Sequence, residues 1–220
     1  MSEIRLTPRL RTLGEWVPAG ARAADVGTDH GYLPIWLRQT GRSPFVIASD
    51  LNAAPLDSAR RNAERADVTG IDFRLSDGLA AIAPEEVEAV VIAGMSGETM
   101  VNILDAAAWD WTDKTLLLQP MTKRPELLTW LYAHGLHVAE EKLVSERRKS
   151  FWVFRISAGE MPLPRPALLW AGFRETAYAH ALRTQLISAL GGLRRASVPD
   201  EGEIRRVEEL LEDMKDAYGW

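Results

Sequence analysis

The run Ala24-Asp25-Val26-Gly27-Thr28-Asp29-His30-Gly31-Tyr32-Leu33-Pro34 follows a short apolar stretch and leads into a helix-like segment. It gathers two glycines, two acids, a histidine and a tyrosine into one turn. Such a density of special residues is needed where backbone comes close to a ligand. The remainder of the chain reads as scaffold for this turn or as attachment to it.

Outward from the turn, strand-like and helix-like segments alternate. A helix is expected over 7–17, with Thr7-Pro8 as its start, and a strand over 22–26 enters the turn. A helix over 33–40 follows, with Gly41 as its cap, then a buried strand over 45–50 ending in an acid and a helix over 55–66. A third strand, 71–75, closes on Ser76-Asp77-Gly78. The fourth, 87–93, is almost wholly apolar, as a central parallel strand should be, and runs into Gly94-Met95-Ser96-Gly97 and a helix over 98–107. A fifth strand, 115–119, is expected to stop at Pro120, before a helix over 126–134. Strands over 136–144 and 151–156, joined by a basic loop, complete the pattern. This alternation predicts an α/β doubly wound sheet with an antiparallel edge, whose ligands sit at the carboxyl ends of the strands.

A proline-punctuated linker over 159–166 separates this part from two helices, 167–193 and 201–218, with a break from Gly191-Gly192 to Pro199-Asp200. The expected domains are therefore 1–160, which binds the ligand, and 161–220, an antiparallel helical hairpin.

Composition narrows the classes. The chain of 220 residues has no cysteine, which excludes disulfides and cysteine metal sites. Its N-terminus has no apolar signal core and no segment approaches the length of a membrane span, so a soluble, cytoplasmic protein is expected. A net charge of −5 argues against indiscriminate nucleic-acid binding but leaves room for local basic patches. The four histidines, His30, His134, His137 and His180, form no metal-ligand spacing, and no metal is expected. There is no P-loop, H-E-x-x-H or serine elbow.

Gly27 and Gly31 are not spaced as in G-x-G-x-x-G, and Asp29 would repel a pyrophosphate. The turn suits a nucleoside cofactor with an amino-acid end and no phosphate, and Asp25 before an x-Gly is the first element of S-adenosylmethionine sites. Asp50 stands where an acid accepts both ribose hydroxyls, with Asn52 beside it, and Asp77 where a carboxylate accepts an adenine amino group. The plainer readings are Asp29 as a helix N-cap, Asp77 in an Asp-Gly turn, and Tyr32 as a helix-start core residue. Acids on three consecutive strand ends favour the functional reading.

Taken together, Asp25-Val26-Gly27-Thr28-Asp29-His30-Gly31-Tyr32-Leu33-Pro34, Asp50-Leu51-Asn52, Leu75-Ser76-Asp77-Gly78-Leu79, Val91-Ile92-Ala93-Gly94-Met95-Ser96-Gly97 and Leu117-Leu118-Gln119-Pro120 resemble the bacterial tRNA adenine N1-methyltransferases of the TrmK family. The likeness spans residues 7–157 and, in layout, the helical tail. It implies a Rossmann-like class I methyltransferase sheet, S-adenosylmethionine as cofactor, and methylation of N1 of adenine 22 in tRNA. Carried onto this sequence, the cofactor contacts are Asp25, Gly27, Asp50, Leu51, Asn52, Asp77, Gly78, Ala93, Gly94 and Met95. Asp29, which opposes the forming positive charge, and Tyr32, which stacks on the base, are the catalytic candidates. His30 and Ser96 face the substrate, and Arg9, Lys123, Arg124, Arg147, Arg148 and Lys149 are the cations for tRNA. The family usually carries Ala at Gly31, Gly at Ala54 and Gly at Ser96. Ser96 is thus expected to put a side chain into the loop that approaches the base. Rival readings are a methyltransferase for another RNA or a small molecule, and a cofactor-binding protein with impaired catalysis. A monomer is favoured.

Overall fold

A computed structural model describes residues 4–173 and 176–220. Expectations that touch residues 1–3, in the N-terminal segment, and 174–175, inside the helix foreseen over 167–193, lie outside the described residues. The chain divides into two compact units, Met1–Met161 and Pro162–Trp220.

In the first unit, α1 (Pro8–Trp16) precedes β1 (Ala23–Val26), α2 (Tyr32–Gln39), β2 (Val46–Asp50), α3 (Ala53–Arg65) and β3 (Ile71–Leu75). A 3-10 turn, Pro84–Glu86, leads to β4 (Ala89–Ser96), α4 (Gly97–Ala107), β5 (Thr115–Thr122), α5 (Arg124–Ala133), β6 (Leu136–Glu146) and β7 (Lys149–Ala158). The seven strands form one sheet in the order β3-β2-β1-β4-β5-β7-β6. The first five are parallel, and β7 runs antiparallel to β5 and β6 at one edge. The chain reverses its winding between β1 and β4, and their carboxyl ends open the crevice where such sheets bind ligands. All four residues of β1, Asp25 among them, and Ala89, Val90, Val91 and Ile92 of the apolar run of β4 are buried, as central parallel strands require.

Two local expectations change in this unit. Strand β5 continues through Pro120 rather than ending there. Its pairing with β7 covers only Leu116, Leu117 and Leu118, so no neighbour on that side needs the N–H that Pro120 lacks. On the other side β4 bulges between Ala93 and Met95, and Met95 faces Pro120. The basic loop shrinks to a two-residue turn, Arg147-Arg148, both left-handed with φ of 46° and 66°, and Lys149 joins β7. Tight hairpins take that backbone because its twist matches the strands.

In the second unit, the helix foreseen over 167–193 is interrupted at Gly172, giving α6 (Pro166–Ala171) and α7 (Thr176–Arg195). Gly191-Gly192 does not break α7, which continues to Arg195. Helix α8 (Glu201–Tyr218) starts at the Asp200 cap, whose side chain accepts from Glu203 N at 2.9 Å. The helices meet through Ala167, Ala171, Ala179 and Met214. Asp213 ties α8 to α6 by accepting from Ala167 N (2.6 Å) and Arg165 Nε (2.7 Å).

Candidate active site

The opening turn is built from backbone. Gly27 N and Thr28 N both donate to Ser49 O, at 2.8 and 2.9 Å, which locks the exit of β1 onto β2. Gly27 is left-handed, and a Cβ there would lie 2.3 Å from Met95 Cε. Gly31, with φ of 71°, caps α2, and a Cβ on it would lie 2.8 Å from Ala59 Cβ, so α2 and α3 approach through a missing side chain. Asp29 is therefore not the N-cap. It stands in the left-handed region (φ 51°) with its side chain 74% exposed. His30 Nε2 lies 3.6 Å from Asp29 Oδ1, and His30 Nδ1 is hydrogen-bonded to Ser58 Oγ at 2.9 Å. Asn62 Nδ2 donates to His30 O at 3.0 Å, pinning this corner to α3. The Tyr32 ring, 5.5 Å from the His30 ring, is 42% exposed, which sets aside its reading as a core residue.

Asp25 is the buried acid of the turn. Its Oδ2 accepts from Thr28 Oγ1 at 2.7 Å. Burial pushes its carboxyl up to about 6; the Thr28 bond opposes that shift, and the nearby charge of Asp50 adds to it.

Two cavities meet behind the turn. The larger, about 740 Å³, is lined by Asp50, Leu51, Asn52, Asp77 and Gly78 at the ends of β2 and β3. Helix α4 closes its far side with Thr99, Asn102 and Ile103. The smaller, about 370 Å³, is lined by Asp25, Asp29, His30, Tyr32, Ala93 and Gly94, with Arg9 also on its wall. Gly27, Asp50 and Met95 line both. The residues carried over for the cofactor thus separate into a nucleoside group around the larger cavity and Asp25, Ala93 and Gly94 around the smaller.

The fit to S-adenosylmethionine can be judged from charge. The larger cavity is lined by two carboxylates and no lysine, arginine or histidine among the described residues. It rejects phosphate and offers acceptors to a diol and an amine. Asp50 Oδ1 accepts from Asn52 N at 2.9 Å, which orients the carboxylate while leaving Oδ2 for a ligand. The residues present fit that cofactor. Among the described residues no cluster of three His, Cys, Asp or Glu could hold a metal ion, and no helix is long and apolar enough to cross a membrane.

The candidate substrate residues fare unevenly. Ser96 leaves the loop: it is the N-cap of α4, its Oγ accepting from Thr99 N at 3.1 Å, and it lines neither cavity. Arg124 is buried and lies over the Trp152 ring, 4.6 Å from its centroid, so it is no surface cation. Lys123 is exposed and paired with Glu98 and Glu126 at 3.5 and 3.2 Å. Arg147, Arg148 and Lys149 are exposed at the hairpin. Sequence reasoning passed over Gln119, which is fully buried at the end of β5 and holds Arg9 through a 2.5 Å bond from Arg9 Nη1 to its Oε1. A polar residue ending an apolar strand was the available signal, the same one that marks Asp50. The α4 residues on the cavity wall had no such signal.

A switch-point crevice, acids that fit a phosphate-free nucleoside, and an adjoining chamber sharing one wall define a methyltransferase. The family described as "Methyltransferase domain" matches residues 6–154. The chain is 35% identical over 162 residues, 73% of its length and 68% of the relative's, to the tRNA (adenine(22)-N(1))-methyltransferase of Bacillus subtilis. It is also similar to the crystal structure of the B. subtilis m1A22 tRNA methyltransferase (TM-score 0.86, 27% identity, 98% of this chain and 99% of that one). A Streptococcus pneumoniae protein solved with S-adenosyl-L-methionine superimposes with a TM-score of 0.83 at 26% identity, over 97% and 99% of the two chains. The chain belongs to the tRNA (adenine(22)-N(1))-methyltransferase family.

Proposed function

We propose that this chain methylates N1 of adenine 22 in tRNA, using S-adenosylmethionine, in the cytoplasm. The observation that carries the reading is the common wall of Gly27, Asp50 and Met95 between a nucleoside-sized cavity and a second chamber carrying Asp29, His30 and Tyr32. Both cavities are lined by residues of the first unit, which supports placing the chemistry in residues 1–160.

In this reading Asp50 and Asn52 hold the ribose, Asp77 the adenine amino group, and Asp25 with Ala93 and Gly94 the amino-acid end. When bound, the cofactor supplies an electrophilic methyl group on a positively charged sulfur. Adenine N1 is neutral and brings its own lone pair, so no side chain has to remove a proton first. The chain's work is placement and charge. Tyr32 offers an exposed ring on which the extruded base can stack. Asp29 carries a carboxylate free of capping duty to oppose the positive charge that forms on the base. Because Met95 borders both chambers against the bare backbone of Gly27, it sets the gap the methyl group crosses. The exposed Arg147-Arg148 turn and Lys149 are the tRNA contacts outside the chamber, with Lys123 as a further one.

Ser96 caps α4 instead of entering the loop that approaches the base, so it gives no ground for the rival reading of a cofactor-binding protein with impaired catalysis. The test is transfer from labelled cofactor to an unmodified tRNA transcript, with mapping of the product. The expected product is 1-methyladenine at position 22, lost when adenine 22 is replaced. Cofactor binding without incorporation, or incorporation elsewhere, refutes the reading.

A further inference from the structure

Among the described residues Arg9 is the one permanent cation on the wall of the smaller cavity. Its guanidinium is held from three sides. Nη1 donates to Gln119 Oε1 at 2.5 Å, Nε faces Glu146 Oε2 at 3.6 Å, and Cζ lies 5.3 Å from the Phe151 ring centroid. Gly94 passes beneath it: a Cβ there would be 3.7 Å from Nη1. The Arg9 and Glu146 side chains are only 23% and 15% exposed. Nε and Glu146 Oε2 are both buried and neither makes a hydrogen bond, so charge rather than a bond joins them. Among the described residues Nη2 has no partner, although a purely structural arginine would engage its whole fork.

A cation in this chamber is at odds with the chemistry unless it meets an anion. The methylated base is positively charged, and a guanidinium against its ring would oppose the reaction. Two anions can reach this chamber, the carboxylate of the cofactor's amino-acid end beside Asp25, Ala93 and Gly94 and the phosphate that an extruded nucleotide brings, and Nη2, the arm left without a partner, suits the second. We propose, building on the tRNA methyltransferase reading, that Arg9 binds the backbone phosphate of the extruded nucleotide and that Gln119 and Glu146 are positioning residues that aim its guanidinium. Glu146 immediately precedes the exposed Arg147-Arg148 turn. The hairpin that meets tRNA outside the chamber thus also steadies the phosphate contact at its mouth.

The sign of one substitution separates this from a bystander role. If Glu146 were only another acid near RNA, Glu146→Gln would tighten tRNA binding by removing repulsion; if it aims Arg9, the same change weakens binding. Equilibrium binding of an unmodified tRNA transcript is measured across a salt series for wild type, Arg9→Gln, Glu146→Gln and Gln119→Leu. Melting temperature serves as the folding control, and S-adenosylmethionine affinity separates the two anions: it should be unchanged in Arg9→Gln, and a matching loss of cofactor affinity overturns the proposal. Arg9→Gln should weaken binding roughly tenfold and flatten the log–log salt slope by about 0.7–0.9, one phosphate contact. Glu146→Gln should weaken binding several-fold, and Arg9→Lys should fail to restore wild-type affinity because it lacks the fork. Tighter binding by Glu146→Gln, or an unchanged slope in Arg9→Gln, overturns the proposal. Should Gln119→Leu not fold, the near-isosteric Glu146→Gln still decides. A wild-type chain that binds tRNA with this variant pattern yet transfers no methyl group refutes the functional reading and supports the phosphate contact.

Discussion

Replacing Asp25 tests the electrostatics of the turn directly. Burial holds its carboxyl at about 6, against an ordinary 3.8, in the cofactor-free protein. Between those values the folded protein keeps a proton that the unfolded chain gives up. Stability is therefore highest below the unfolded value and falls as pH rises through about 6. The whole difference corresponds to about 3 kcal/mol, of which roughly 1.4 kcal/mol is lost between pH 5 and pH 8. Asp25→Asn keeps an oxygen for Thr28 Oγ1 to donate to and cannot ionise. In chemical denaturation at both pH values, the variant should gain roughly 1.4 kcal/mol on wild type as pH rises. A cationic ligand reverses the preference, because it selects the ionised carboxylate. Cofactor affinity should then rise through pH 6 in wild type, about tenfold per unit below that value, and be flat in the variant. Parallel stability curves for the two proteins, agreeing within about 0.3 kcal/mol at all pH values, would refute the reasoning.

Asp29→Ala should lower the rate of methyl transfer roughly a hundredfold with cofactor affinity retained, measured by single-turnover kinetics beside calorimetry; an unchanged rate removes Asp29 from the mechanism. Asp50→Ala should weaken S-adenosylmethionine binding by roughly ten- to a hundredfold without loss of fold, and calorimetry showing wild-type affinity would contradict the ribose assignment. Ser96→Ala should cost about 1 kcal/mol in urea denaturation and Ser96→Gly only a few tenths, both with methyl transfer intact; a large activity change in Ser96→Gly would return Ser96 to the substrate site.

What the sequence made legible was whatever is settled locally. The apolar run of β4, the acids ending β1, β2 and β3, and the Asp200 cap of α8 are each decided within a few residues. What escaped depends on distant partners. Pro120 was read as a stop because a lone strand cannot show that its neighbour has already left by Leu118. Gly191-Gly192 was read as a break, yet α7 tolerates two residues costing about 1 kcal/mol each because it packs on α8, and the Arg194–Glu208 ion pair lies beyond them. Lys123 and Arg124 are adjacent and looked equivalent. Trp152, on β7, takes Arg124 into the interior and leaves Lys123 outside.

The same distinction applies inside the opening turn. Its glycines and acids announced a ligand site, but the role of each acid follows from what the fold brings beside it. Asp25 is buried against Thr28 and costs free energy to ionise until a cation arrives, so it suits a positively charged ligand. Asp29, four residues on, is lifted out by a left-handed backbone and stands exposed to water. Arg9 reaches the same chamber from α1, far from the turn in sequence, and needs Gln119 and Glu146 to stay there. Among the described residues three carboxylates, Asp25, Asp29 and Asp50, face this chamber with one arginine. That surplus of negative charge is what a reaction with a cationic donor and a cationic product requires. It also explains why the single arginine has to be held to one side, where it meets phosphate and not the base.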